Sequence, residues 1–91
     1  MMLRYRAEAV ADLQKIRDYI AHDDPAAARS VVQRIEQSID RLRTLPWSGR
    51  PGASGTRILV VPGLPYVAIY RVGEDGVEIV AVFHTARNRR M

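Results

Sequence analysis

The stretch PWSGRPGASG, residues 46–55, places two prolines and three glycines in ten positions. It divides the chain into halves with different hydrophobic periods. From Ala7 to about His22, Val10, Leu13, Ile16 and Ile20 recur at three- and four-residue steps, which draws one stripe along a helix. HDDPAAAR then stops that helix and starts another. Asp24 suits an N-cap and Pro25 the first helical position, where no N–H is needed. The second helix carries Ala28, Val32, Ile35, Ile39 and Leu42 on one face, with Val31 and Leu45 beside it, and Pro46 ends it. So short a link between two amphipathic helices predicts an antiparallel hairpin. Beyond the loop, Arg57–Val61, Tyr66–Val72 and Val77–Phe83 are rich in β-branched and aromatic residues, as strands are. VPGL and GEDG supply the turns of a meander. Met2–Arg6 is long enough to add one more strand. The order is β-α-α-β-β-β, an α+β fold in which a helical hairpin packs on one face of a small antiparallel sheet, within a single domain spanning residues 1–91.

The strands carry a second constraint. An antiparallel sheet with one wet face alternates apolar and polar residues, and these hardly do. Strict parity puts Val77, Ile79, Ala81 and Phe83 on one face, with Val80 and Val82 on the other between Glu78 and His84. In the preceding strand Val67 and Ile69 oppose Tyr66, Ala68 and Tyr70. Two helices cover one face only, so the other is expected to be covered by another chain. The loop before the strands has the composition of turns, and its glycines lack the spacing and lysine of a phosphate-binding loop. Trp47 is expected to pack as a lid over the base of the helices; an exposed Trp47 would mark a contact point.

Composition narrows the function classes. The chain is 47% hydrophobic and 26% charged, which is ordinary for a globular protein. Without cysteine there is no disulfide framework and no thiolate zinc site. No apolar run approaches the roughly 18–20 residues of a membrane span, and no signal-peptide pattern opens the sequence, so the cytoplasm is the expected location and a membrane is not an expected partner. The formal charge is +4, and thirteen of the fourteen basic residues are arginine. Arginine suits bidentate contacts to phosphate or carboxylate, which points toward nucleic acid or an acidic partner.

Chemistry is limited by what is missing. His22 and His84 are the only histidines, and no acidic cluster has ligand spacing, so no metal and no cofactor is expected. The serines, Ser30, Ser38, Ser48 and Ser54, lie in helices or a loop without a nucleophile elbow. A metal-free ribonuclease remains. It needs a base for the 2′-hydroxyl proton, an acid for the leaving oxygen and cations for the charge at phosphorus. His84 fits acid or base, Arg57 and Arg87 fit the phosphate, and Tyr66 or Tyr70 fits stacking on a base. The same His84 and arginines read equally as a structural strand end.

Taken in order, AVADLQKIRDYIAHDDPAAARSVVQRIEQSIDRL, LPWSGRPG, LVVPGLPYVAIYRV and VEIVAVFHTAR resemble the ParE/RelE superfamily of toxins from bacterial type II toxin–antitoxin modules, over nearly the whole length. The resemblance implies the hairpin-on-sheet fold and a cognate antitoxin that wraps the toxin and covers apolar surface. Val67, Ile69, Val80 and Val82 are the residues expected beneath it. RelE-like members cut mRNA on the ribosome with basic residues on the middle strands, an arginine after the last strand and often a C-terminal tyrosine. ParE-like members lack that set and inhibit DNA gyrase. Arg87 matches the arginine after the last strand, but the middle strands place Ile58, Val60 and Pro62 where the nuclease has basic residues, and no tyrosine follows Tyr70. The resemblance therefore favours gyrase inhibition by binding, with Arg57, His84, Arg87, Arg89 and Arg90 as target contacts and no sequence-specific DNA binding by this chain. A ribosome-dependent mRNA endonuclease using His84, Arg57 and Arg87 is the alternative, and an inactive member kept as an antitoxin partner is a third.

Overall fold

The computed structural model describes residues 1–86. Strand β1 (Met2–Tyr5) leads into α1 (Ala7–Ala21) and α2 (Pro25–Asp40), and a 3₁₀ turn at Arg41–Arg43 follows. Then come β2 (Arg50–Pro51), a second 3₁₀ turn at Ala53–Gly55, β3 (Arg57–Val60), β4 (Tyr66–Gly73) and β5 (Gly76–His84). The helical hairpin turns where the sequence placed it. The Asp24 carboxylate accepts the Ala27 N–H at 3.0 Å, and Pro25 opens α2. Loss of such a cap costs about 1 kcal/mol.

The five strands lie in the order β1-β5-β4-β3-β2. β3, β4 and β5 form the expected antiparallel meander. Gly63, at φ +75°, supplies the left-handed residue of the 61–64 turn. The sheet as a whole is mixed, because β1 joins β5 in parallel, with Met2 opposite Gly76 and Tyr5 opposite Ile79. The sequence named no partner for β1; α1 supplies the reason. The chain leaves β1 through Arg6, whose N–H bonds the Ile79 carbonyl at 2.9 Å, and enters a helix that packs on β5. Gly76, at φ +136°, lies so close to β1 that a Cβ there would collide with the Met2 carbonyl.

Between helices and sheet lies a core that includes Leu13, Ile16, Ile35, Ile39, Tyr70 and Ile79. The α1 stripe starts one residue earlier than the sequence suggested. Ala9 is fully buried and Val10 is 44% exposed, because Ala9 stands four residues before Leu13 and its methyl lets the helix approach closely. At the β1 corner Tyr5 packs against the core from a partly buried position. Burial, aided by the charges of Glu36 and Asp40 and opposed by Arg43, pushes its phenol up from 10.0 to about 12.

Strand β5 departs from strict parity. Ile69 pairs with Ala81, but Tyr70 pairs with Ile79, so Val80 is an extra residue with no partner. The bulge reverses the faces of everything after it. Val77 and Ile79 face the helices, as parity predicts. Val82 does too, at 3% exposure, and the Ala81 and Phe83 side chains go to the far face. The α1 helix holds this turn of the strand, since the Asp12 carboxylate accepts the Val82 N–H at 2.9 Å.

Candidate functional site

Three places held the candidate residues: the end of β5, the start of β3, and the sheet face away from the helices. His84 ends β5 opposite Tyr66 on the helix side of the sheet. The two rings meet edge to face, with centroids 5.2 Å apart and planes at 89°. The His84 Nδ1 accepts the Ala86 N–H at 3.1 Å, so one ring nitrogen caps the strand end. Arg87, Arg89 and Arg90 lie outside the described residues.

Arg57 opens β3 opposite Tyr70, and the two side chains work on the same loop. One Arg57 Nη donates to the carbonyls of Gly49 and, at 3.3 Å, Trp47. The Tyr70 hydroxyl donates to the Pro46 carbonyl at 2.9 Å and accepts the Gly49 N–H at 2.8 Å. A Cβ on Gly49 would sit 2.6 Å from that hydroxyl, so only glycine permits the approach. The Arg57 guanidinium lies over the Trp47 ring, 4.9 Å from its centre. Trp47 itself is 63% exposed, not the lid the sequence suggested, because Leu42 in the preceding 3₁₀ turn already seals the base of the helices.

These placements separate the candidates for phosphate chemistry. Arg57 and His84 stand two strands apart and four register steps apart along β4, a Cα separation of about 16 Å at about 3.3 Å per residue and about 4.8 Å per strand. Arg57 spends its guanidinium on two carbonyls and an indole. No shared pocket joins it to His84. Among the described residues, no group of three or more His, Cys, Asp or Glu is placed to hold a metal ion. No helix among them is long and apolar enough to cross a membrane.

The far face divides into two parts. At one end Arg4 reaches Glu78 at 3.8 Å, beside Arg71, which pairs with Glu78 in the register. The rest is apolar: Ile58, Val60, Val67, Ile69, Ala81 and Phe83 all project to this side. Of the four residues expected beneath an antitoxin, Val67 and Ile69 are here, Val80 is the bulge residue, and Val82 is in the helix-side core. Val82 is thus a correction, and its cause is the bulge. Val67 is only 2% exposed between its register neighbours Val60 and Phe83, so the accessible surface comes from residues around it. Ala81 and Phe83 were missed. The unbroken apolar run EIVAVF held the one hint, since a run without alternation leaves parity free to slip.

The arrangement offers apolar and basic surface for a partner in place of a reaction pocket, and likeness to known proteins bears on what kind. Residues 3–89 match the family model described as the ParE toxin of type II toxin–antitoxin system, parDE. The chain belongs to the ParE toxin family. This ParE-family chain is 45% identical over 83 residues to Putative toxin Y4kP of Sinorhizobium fredii, covering 90% of this chain and 85% of that protein. It is 42% identical over 79 residues to Toxin RelE2 of Caulobacter vibrioides, covering 87% and 89%. Among solved structures it superposes with TM-score 0.82 on a chain of the chromosomal ParDE TA system from P. aeruginosa, at 30% identity, covering 92% of this chain and 95% of that one. The ParE fold is thus the α+β hairpin-on-sheet arrangement described above, and the chain is a toxin of the type II toxin–antitoxin class.

Proposed function

We propose that this toxin arrests DNA replication by binding DNA gyrase, with no chemistry of its own, and that a cognate antitoxin neutralises it by covering the far face of the sheet. The separation of Arg57 from His84 carries the reading. A nuclease must gather an acid–base group and phosphate-binding cations within a few ångströms of one phosphorus. Here the cation on β3 clamps a loop and the imidazole caps a strand about 16 Å away. The antitoxin contacts fall on Ile69, Ala81, Phe83 and the β3 residues Ile58 and Val60, and Arg4 and Arg71 suit acidic side chains at the border. The basic residues after β5, Arg87, Arg89 and Arg90, complete the target surface together with His84.

Ribosome-dependent mRNA cleavage is the second reading, favoured by the name of the Caulobacter relative, Toxin RelE2. Pulse-labelling of DNA and protein synthesis in the first minutes after induction without antitoxin separates the two. Under the gyrase reading DNA synthesis stops first, and His84→Ala leaves toxicity largely intact. An early collapse of protein synthesis that His84→Ala relieves, with a rate loss of about 10²–10⁴, would transfer the function to the nuclease.

A further inference from the structure

A tryptophan held in water by its own protein calls for a reason. The backbone of residues 46–49 is pinned by side chains from two strands: Tyr70 bonds Pro46 and Gly49, and Arg57 bonds Trp47 and Gly49. The indole these bonds position is 63% exposed, and Leu45 beside it is 59% exposed. Arg57 backs one ring face. The surroundings are one-signed. From residue 41 to residue 73 the chain contains Arg41, Arg43, Arg50, Arg57 and Arg71 and not one Asp or Glu. Asp40 answers Arg43 at 2.6 Å, and Arg50, three residues after Trp47, is exposed. A rigid, solvent-facing Trp flanked by arginine and an aliphatic side chain has the make-up of an interface anchor, whose ordering cost is met before the partner arrives.

We infer that Leu45, Trp47 and Arg50 form a docking shelf for an acidic protein segment bearing an apolar contact for the indole, and that this segment belongs to the toxin's target and not to its antitoxin. Its position supports that assignment. Arg57 shares a register position with Tyr70 and so stands on the helix side of the sheet, with the Trp47 ring against it. The uncovered apolar residues lie on the opposite side. A segment laid over Ile69, Ala81 and Phe83 does not meet Trp47 without rounding the β2 edge. The β2 edge itself, two residues long and ending in Pro51, offers little ladder for strand addition, so the grip is made by side chains. The inference rests on the toxin reading but not on gyrase being the target.

Trp47 is the only tryptophan, which makes the shelf directly observable. The measurement uses the full chain, free and bound to its antitoxin, with any antitoxin tryptophans replaced by phenylalanine. Acrylamide is expected to quench Trp47 equally in both. In cells without antitoxin, Trp47→Ala is expected to raise the amount of toxin needed for growth arrest about 30-fold, the effect of removing a central anchor. Arg50→Glu is expected to raise it several-fold. Both variants should still co-purify with antitoxin; if Trp47→Ala does not, Arg50→Glu alone decides. Undiminished toxicity of the deciding variant overturns the inference, as does shielding of Trp47 by the antitoxin or a wild-type chain with no effect on growth. Shielding of Trp47 by oligothymidylate gives the shelf to nucleic acid and also overturns it. Purified gyrase keeps the two readings apart. Growth arrest without gyrase inhibition sinks the gyrase target and leaves the shelf, whereas gyrase inhibition unchanged in Trp47→Ala removes the shelf alone.

Discussion

The two faces of this sheet are built from similar residues and put to different use. On the helix side, Val77, Ile79 and Val82 of β5 join Ala68 and Tyr70 of β4 in a sealed core. On the other side, Ala81 and Phe83 stand beside Ile69 with no element of the described chain laid across them. Hydrophobicity does not distinguish the two sets; the bulge at Val80 does. One unpaired residue decides which apolar side chains stabilise the fold and which are left for a partner. It follows that equal truncations on the two faces should have unequal effects.

The largest contrast is between Ile79→Ala and Phe83→Ser. The first opens a cavity in a fully buried site and is expected to lower unfolding free energy by about 2–5 kcal/mol in urea titrations. The second is expected to change it by no more than about 1 kcal/mol while weakening antitoxin binding, measured by titration calorimetry. Equal losses would erase the distinction between the faces. Next in size is Asp12→Ala. It strips the Val82 N–H of a charge-assisted partner and should cost about 1–3 kcal/mol, with faster amide exchange at Val82 as its local signature. Exchange unchanged at Val82 would mean that β5 holds its bulge without α1.

The smallest effect sits at the one corner where the helix side meets water. Tyr5 stays protonated in the fold up to about 12, while the unfolded chain begins to ionise near 10.0. Above that value the unfolded state releases the proton first. Stability contributed by the neutral phenol is therefore present below pH 10 and is lost as pH rises from about 10 toward about 12. Urea midpoints at pH 9 and pH 11 should fall further for the wild type than for Tyr5→Phe. Parallel behaviour of the two would show Tyr5 to be in effect solvated.

Much of this was legible beforehand, for reasons that differ by element. The helix hairpin was, because Asp24–Pro25 is a local capping signal and the stripe from Leu13 to Ile20 repeats at helical spacing. The meander was, because Gly63 and Gly76 stand where the turns need left-handed backbone. The Ala81–Phe83 inversion was not, since a bulge is selected by tertiary contacts such as the Asp12 bond across 70 positions, and nothing local in EIVAVF marks it. Arg57 misled for a related reason. From sequence it is a cation near a glycine-rich loop, and only the register with Tyr70 reveals that both side chains hold that loop in place.

The parallel pairing of β1 with β5 also has a consequence in time. Met2 waits for Gly76, a span of 74 positions (76 − 2), before it can enter the sheet. Synthesis proceeds from the N-terminus at about 5–20 residues per second. For several seconds, then, the nascent chain carries both helices with no sheet beneath them, and its first strand stays loose until residues 76–79 have cleared the ribosome. The fold cannot close early, so the ribosome hands over the finished sheet and its uncovered face almost together, a narrow moment for an antitoxin made from the same message to be waiting.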